Sequence, residues 1–295
     1  MCNKMKIYYK INNEKNVLEI CKDKLNISSR LFTKLKKEHI YLNGELLNSY
    51  KPLKKDDILT VDMGYPEVQD NIVSNSDIKL NILYEDEWLL IINKPPFLPV
   101  HPTMRHFNNT LSNGVKAYYE LIGLNKKIRP VNRLDKNTSG IVIFAKCEYI
   151  QEELTRQMKN KSFTKEYIAL VNGNLLVDNE IKIIDSPIKR KADSIIERIV
   201  SPDGDNAITK YKVIKNYNGF SEVSIQLLTG RTHQIRVHFQ SIGHPVLGDS
   251  LYGKESNLIK RQALHAKKVE FLHPISKQHI NVEAELPDDI RSLII

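Results

Sequence analysis

No run of apolar residues in this 295-residue chain approaches the roughly 20 that a membrane-spanning helix needs. The opening residues, Met1-Cys-Asn-Lys-Met-Lys-Ile-Tyr-Tyr9, hold no apolar stretch of the secretory kind. Cysteine is scarce. Cys2, Cys21 and Cys147 stand apart, without pairing or metal-ligand spacing, so a reducing cytoplasm is the expected setting and no metal site is expected. Dinucleotide-binding motifs are absent too. What is present is ordinary for a globular protein: 41% hydrophobic and 27% charged residues. The length suits a large core and two domains. The net charge is +9 and the pI about 9.2, a balance that favours a polyanionic partner, of which nucleic acid is the commonest.

The basic excess is uneven. Residues 1–63 carry 13 Lys+Arg against 8 Asp+Glu, a surplus of 5 out of the total +9. Ser28-Ser29 is a good helix N-cap. Beyond it, Leu31 and Leu35 mark a buried stripe, while Arg30, Lys34 and Lys37 align on an adjoining face at i, i+4 and i+7. In Ile40-Tyr-Leu-Asn-Gly-Glu-Leu-Leu47 the Asn43-Gly44 pair signals a hairpin. Lys54-Lys55 is a basic turn, and Ile58-Leu-Thr-Val61 a strand. Gly64 to Ser76 is polar and aperiodic, and reads as a linker.

The larger remainder alternates mainly at the strand period. Ile78–Tyr84 and Trp88–Ile92 form a predicted hairpin, its second strand apolar throughout and so buried on both faces. Lys94 and His101 could approach a ligand, or could equally be a strand-end charge and a loop imidazole. Thr138-Ser139-Gly140 reads as a tight turn into a buried strand, Ile141–Ala145. Just before it, Arg133 and Asp135 sit on a loop held against that strand, a placement that suits catalysis but also an Asx-type turn. Glu148–Asn160 is an amphipathic helix with Leu154 and Met158 inward. Residues 161–173 alternate as a strand containing Tyr167, which taken alone reads as a core aromatic with its hydroxyl satisfied. Residues 178–206 give no sharp signal, and 207–213 and 221–228 alternate as strands. Thr232 is a plausible N-cap for a helix over 232–242, with Ile235, Phe239 and Ile242 inward and Gly243 at C′. Arg236 falls at the flank of that stripe, where a partly buried guanidinium needs an anion. Arg231, at the Gly230 turn, is freer. His233 and His238 lie five apart, on different faces, which argues against a metal pair.

Two resemblances follow from these segments. Residues 17–62, with Ser29-Arg30, Leu35, Tyr41-Leu-Asn-Gly44 and Leu53–Val61, resemble an S4 RNA-binding domain, which implies contact with structured RNA through shape and phosphates. Nearly the whole chain resembles the RluA-type family of pseudouridine synthases carrying such a domain. The motifs are Arg133-Leu-Asp-Lys-Asn-Thr-Ser-Gly140, Lys165-Glu-Tyr167, Thr229-Gly-Arg-Thr-His-Gln-Ile-Arg236, Gly243–Asp249 and Leu264-His-Ala266. The resemblance implies an α+β fold: an S4-like domain over 1–63, a linker over 64–76, and a catalytic domain over 77–295 with a mixed, largely antiparallel central sheet. It places the catalytic carboxylate at Asp135, the active-site tyrosine at Tyr167, and the arginine paired with the aspartate at Arg236. Arg133 then enters the RNA helix when the target base leaves it, and Arg30, Lys34, Lys37 and Arg231 contact RNA. Two positions depart from the pattern: Asn132 stands where His is usual, and Phe97 where Gly is usual.

The implied chemistry is isomerisation of uridine within RNA. The C1′–N1 bond breaks, the uracil turns, and C5 bonds to C1′. No oxidant or net water enters, and neither cofactor nor metal is required. Asp135 serves either as nucleophile at C1′ or as base at C2′. Burial raises an Asp pKa while a close Arg lowers it by roughly 1–3 units, a physical reason for Arg236 beside Asp135. Tyr167 would pack on the uracil and could relay the C5 proton, with the nucleotide extruded from its stack. The competing readings are a non-catalytic RNA-binding ribosome-assembly protein and a glycoside hydrolase, which normally needs a second carboxylate. Large-subunit ribosomal RNA is the favoured substrate, with transfer RNA the other. The expected state is a monomer.

Overall fold

In the computed structural model of the chain, the structure describes residues 5–47, 52–68 and 71–295. Two sheets organise it. The smaller runs β1-β4-β2-β3, from β1 (Lys6–Lys10), β2 (Ile40–Leu42), β3 (Glu45–Leu46) and β4 (Ile58–Asp62). Asn43 and Gly44 turn β2 into β3 with positive φ of 51° and 85°, as a two-residue hairpin requires. The same sheet carries α1 (Val17–Glu19), which widens into a π-type turn over Ile20–Lys24, and α2 (Ser29–Leu35). The Ser28 hydroxyl caps α2, accepting from Leu31 N at 3.2 Å. Leu31 and Leu35 are fully buried. Lys37 lies two residues past the end of α2 rather than on it, so the expected three-cation stripe is cut short.

The larger sheet has nine strands: β5 (Ile82–Glu85), β6 (Leu89–Lys94), β7 (Ser139–Ala145), β8 (Thr164–Asn172), β9 (Lys182–Asp185), β12 (Ile208–Asn216), β13 (Phe220–Leu227), β14 (Leu264–Leu272) and β15 (His279–Glu283). Its order is β5-β6-β7-β14-β8-β13-β12-β9, with β15 on the other side of β14. Pairing is antiparallel except between β7 and β14. The fold is thus α+β with a mixed, largely antiparallel sheet. β10 (Ile188–Arg190) and β11 (Arg198–Val200) form a separate ribbon. Helices α3 (Leu111–Leu121), α4 (Glu148–Lys159), α5 (Gln234–Ser241) and α6 (Asp288–Ile294) complete the chain.

β7 is buried at every position, as its apolar run requires. It begins earlier than the predicted turn: Ser139 and Gly140 belong to the strand and pair with His265 and Ala266 of β14. Gly140 has φ of +110°, and a Cβ there would overlap the Ala266 main chain. Glycine is needed because two strands meet.

The segment 64–76 is not a free tether. Glu67 is buried and receives both terminal nitrogens of Arg129, at 2.6 and 2.9 Å. Lys126 donates to the Met63 carbonyl and, at 2.7 Å, to that of Tyr65. Asn113 donates to Val73 O at 2.7 Å. Such polarity and lack of period reflect a strap whose polar groups are satisfied by side chains of the larger half.

Candidate active site

The sheet register assembles the site. Gly140 on β7, Ala266 on β14 and Tyr167 on β8 lie in one row across three neighbouring strands. The loop entering β7 therefore hangs beside Tyr167. β13 flanks β8 on the other side, and the chain leaving β13 becomes α5, which carries Arg236. Asp135, Tyr167 and Arg236, widely separated in sequence, line one cleft of about 830 Å³. That is within the size range of ligand sites.

Arg236 is 7% exposed and forks between two carboxylates. Its Nη1 donates to Asp135 Oδ2 at 2.9 Å. Its Nε and Nη2 donate to Asp249 Oδ2 and Oδ1 at 2.6 and 2.8 Å. Burial works against the guanidinium charge, but the Asp249 hydrogen bonds and both carboxylates outweigh it and raise the Arg236 pKa. The side chain of Asp249 is fully buried and its Oδ1 also accepts from Leu251 N and Tyr252 N at 3.0 and 3.2 Å. Asp249 thus fixes the arginine, and the remaining nitrogen presents charge to Asp135, whose side chain is 27% exposed to the cleft.

The α5 helix starts later than expected. Thr232 does not cap it. His233 takes the N-cap position with φ of +57°, a left-handed conformation that breaks the run. Its Nδ1 lies 2.9 Å from Tyr252 Oη and its Nε2 3.8 Å from Asp135 Oδ1. Burial lowers the His233 pKa, against the pull of Asp135, so the ring is neutral at neutral pH. Gly243 does follow the helix at C′, with φ of +81°. His238 is buried against Thr209 and Ser186, apart from His233.

The loop of Asp135 is tied from beneath. Asn132 bridges to β7, donating to Ile141 O at 3.0 Å and accepting from Ile143 N at 2.9 Å. Lys94 is fully buried, and its ammonium donates to Lys136 O at 3.1 Å as well as to Pro95 O and Leu98 O. Arg261 donates to Asn137 O at 3.1 Å while pairing with Asp289. Gln262 reaches Thr138 Oγ1 at 3.2 Å. A turn closes within the loop, Thr138 N donating to Asp135 O at 3.1 Å, but the carboxylate itself faces Arg236. Burial and the Arg261 charge push Lys94 down to about 7, while three carbonyl acceptors match the three protons of an ammonium.

Tyr167 is buried. Burial, with the Asp135 charge adding, raises its pKa, so the phenol is protonated in the resting site. Arg133 is exposed on the cleft and, among the described residues, makes no hydrogen bond or ion pair. Arg231 also lines the cleft but is turned toward Asn206 O at 2.9 Å. Arg30 and Lys34 lie elsewhere, within 4 Å of Glu148 on α4 at 3.7 and 3.4 Å. Lys37 is exposed. His101 sits at the cleft mouth, 3.4 Å from Ser112 Oγ. Sequence reasoning missed Asp249, His233 and Arg261. Asp249 closes the Gly243–Asp249 motif, and the need of a buried Arg236 for anions was the signal for it.

A family model described as RNA pseudouridylate synthase matches residues 88–241, more than half of the chain and the span holding Asp135, Tyr167 and Arg236. An uncharacterized RNA pseudouridine synthase of Bacillus subtilis (strain 168), YjbO, is 38% identical over 92% of this chain and 95% of its own length. Ribosomal large subunit pseudouridine synthase D of Zymomonas mobilis is 35% identical over 89% of this chain and 90% of its own. Among solved structures, human RNA pseudouridylate synthase domain containing 1 superposes with a TM-score of 0.58 at 25% identity, covering 72% of this chain and 85% of that one. The chain belongs to the RNA pseudouridine synthases, in the RluA-type family that its motifs resemble. It is an isomerase acting on RNA.

Proposed function

We propose that the protein converts specific uridines of large-subunit ribosomal RNA to pseudouridine, with Asp135 as the catalytic carboxylate. The observation that carries the assignment is Arg236, buried and forked between Asp249 and Asp135 at the wall of the cleft. Asp249 holds the arginine, the arginine holds Asp135, and the other Asp135 oxygen is left toward the cleft and His233. A carboxylate supplied with a fixed counter-charge serves either attack at C1′ or removal of the C2′ proton. In both routes the C1′–N1 electron pair leaves with the uracil. C5 then bonds to C1′ as the C1′–O bond to Asp135 breaks, or as Asp135 returns the C2′ proton, and the proton from C5 ends on N1. Tyr167 packs on the uracil. Being protonated, its phenol takes up the C5 proton only by passing its own onward.

The remaining assignments concern the RNA. Residues 1–63 act as an S4-like RNA-binding domain, 64–76 as the strap joining it, and 77–295 as the catalytic domain. Arg30, Lys34 and Lys37 contact RNA phosphates. Glu148 competes for the first two, so their contribution is smaller than three free cations would give. Arg133, unpaired at the cleft, fills the space left by the extruded uridine, and Arg231 holds the strand nearby. The relatives named for the ribosomal large subunit support the choice of RNA.

Site-resolved pseudouridine mapping of total RNA, with and without the gene and with Asp135→Asn restored, tests this reading. The expected result is one or a few large-subunit positions that lose pseudouridine in the deletion and do not regain it with Asp135→Asn. Loss confined to transfer RNA would move the substrate. Full modification by Asp135→Asn would remove Asp135 from the chemistry.

A further inference from the structure

Resting on the reading that the cleft receives RNA, the geometry points to Lys165 as the holder of a phosphodiester beside the target nucleotide. Lys165 and Tyr167 are two apart on β8, so they share a face, and both line the cleft. Yet Lys165, half-buried in the cleft wall, makes no hydrogen bond or ion pair among the described residues. Burial alone lowers it, with no carboxylate offsetting the loss of water. A half-buried ammonium without a partner has given up part of its water for nothing in return, and in the free protein it stands beside an opening that admits an anion.

The surroundings fit one. Among the described residues, Asp135 is the only acidic one lining the cleft, against seven lysines and arginines. Lys159 at the end of α4 and Lys161 in the turn after it line the same wall and are exposed, extending the positive track away from Asp135. On the other side Gly230 has no left-handed φ to explain it. A Cβ there would lie 3.8 Å from the Lys165 nitrogen, so anything larger than alanine would fill the space beside the ammonium. Two residues of strand set Lys165 about 7 Å along β8 from Tyr167, so it stands beside the uracil position, where the RNA backbone continues, and not on the uracil.

The test is filter binding of a short RNA stem-loop with a uridine in its loop, across a potassium chloride series, with wild type, Lys165→Met, Lys165→Gln and Lys165→Arg. Loss of one phosphate contact lowers the slope of log K against log salt by about 0.7–0.9 and weakens binding roughly tenfold or more at low salt. The neutral variants should show both changes, Lys165→Arg neither. The neutral variants should also melt at or above the wild-type temperature, since they remove a half-buried charge that has no partner in the free protein. A salt slope unchanged in both neutral variants, or in the one that folds, overturns the inference. Tritium release from C5-labelled transcripts of large-subunit RNA is run alongside. Its failure in wild type counts against the substrate reading, while the binding series still decides Lys165.

Discussion

Arg236 divides its guanidinium unequally, two nitrogens to Asp249 and one to Asp135. Asp249 therefore works as a positioning residue. Asp249→Asn removes the charge that holds the fork and leaves a buried guanidinium with one partner. Breaking such a buried pair costs roughly 3–5 kcal/mol, and the freed arginine can turn fully onto Asp135. The expected outcome is a lowered urea midpoint and a kcat reduced more than RNA affinity, read by single-turnover pseudouridine formation and filter binding. Phe97 poses the opposite case. It holds φ of +64° and is 52% exposed, so a side chain that gains little from burial sits in a conformation costing about 1–2 kcal/mol outside glycine. Phe97→Gly should stabilise the protein by up to about 1 kcal/mol in urea unfolding, after the entropy of the added glycine is offset. Asp135, Tyr167 and Arg236 were legible because each sits inside a motif. Asp249 was signalled only indirectly, by the anion that a buried Arg236 needs, and His233 not at all, because its placement arises only where a helix end meets a later turn.

At the scale of elements, the joint between β7 and β14 decides where the loop of Asp135 hangs. Two features guard it. Gly140 faces the Ala266 main chain without room for a Cβ, so Gly140→Ala must part the strands, with an expected loss of several kcal/mol and of activity. His265 lies beside it, fully buried and 2.9 Å from Ser139 Oγ. Burial, helped by the charges of Arg261 and Lys267, holds its pKa at about 4, against the raising pull of the Ala284 carbonyl and a smaller one from Asp289. The unfolded chain binds a proton near pH 6.5; the folded one does not until about 4. Stability is therefore full above pH 6.5 and falls as pH drops toward 4, by up to about 3 kcal/mol. Urea unfolding at pH 7, 5.5 and 4.5 should show this slope in wild type and a shallower one in His265→Gln. Here β7 was legible as a short apolar run and β8 from its alternation, whereas β14 and β15 were not read as strands. Nor were β9, β10 and β11, since three or four residues among Asp, Lys and Ser carry no usable period. The start of α5 was misplaced because nothing local marks His233 as left-handed.

At the scale of the molecule, the segment 64–76 changes what the N-terminal module is. Its composition is that of a tether, and composition cannot show that Glu67 meets Arg129, because the partner lies some sixty residues away. The apolar cluster confirms the attachment: Leu31, Leu59 and Val61 belong to the same cluster as Trp88, Ile143 and Leu154. Ser28 donates to Glu152 at 2.8 Å across the seam. A module sharing a core with its neighbour presents its cations in a fixed relation to the cleft, so an RNA that bound the module as proposed would have to satisfy both at once. Two consequences are measurable. Chemical denaturation should show one transition by fluorescence of the sole tryptophan, Trp88, and by circular dichroism alike. Arg129→Met should lower that single midpoint by an amount worth roughly 3 kcal/mol or more, because Glu67 is left buried without its main counter-charge. Burial opposes the Glu67 charge, but the Arg129 hydrogen bonds hold its pKa below the ordinary carboxylate value. This contribution is present above about pH 4.3 and fades as pH falls below it, so the difference between wild type and Arg129→Met should narrow in acid. A module on a loose tether would give a different result: two transitions, with Arg129→Met shifting neither the earlier midpoint nor the RNA affinity.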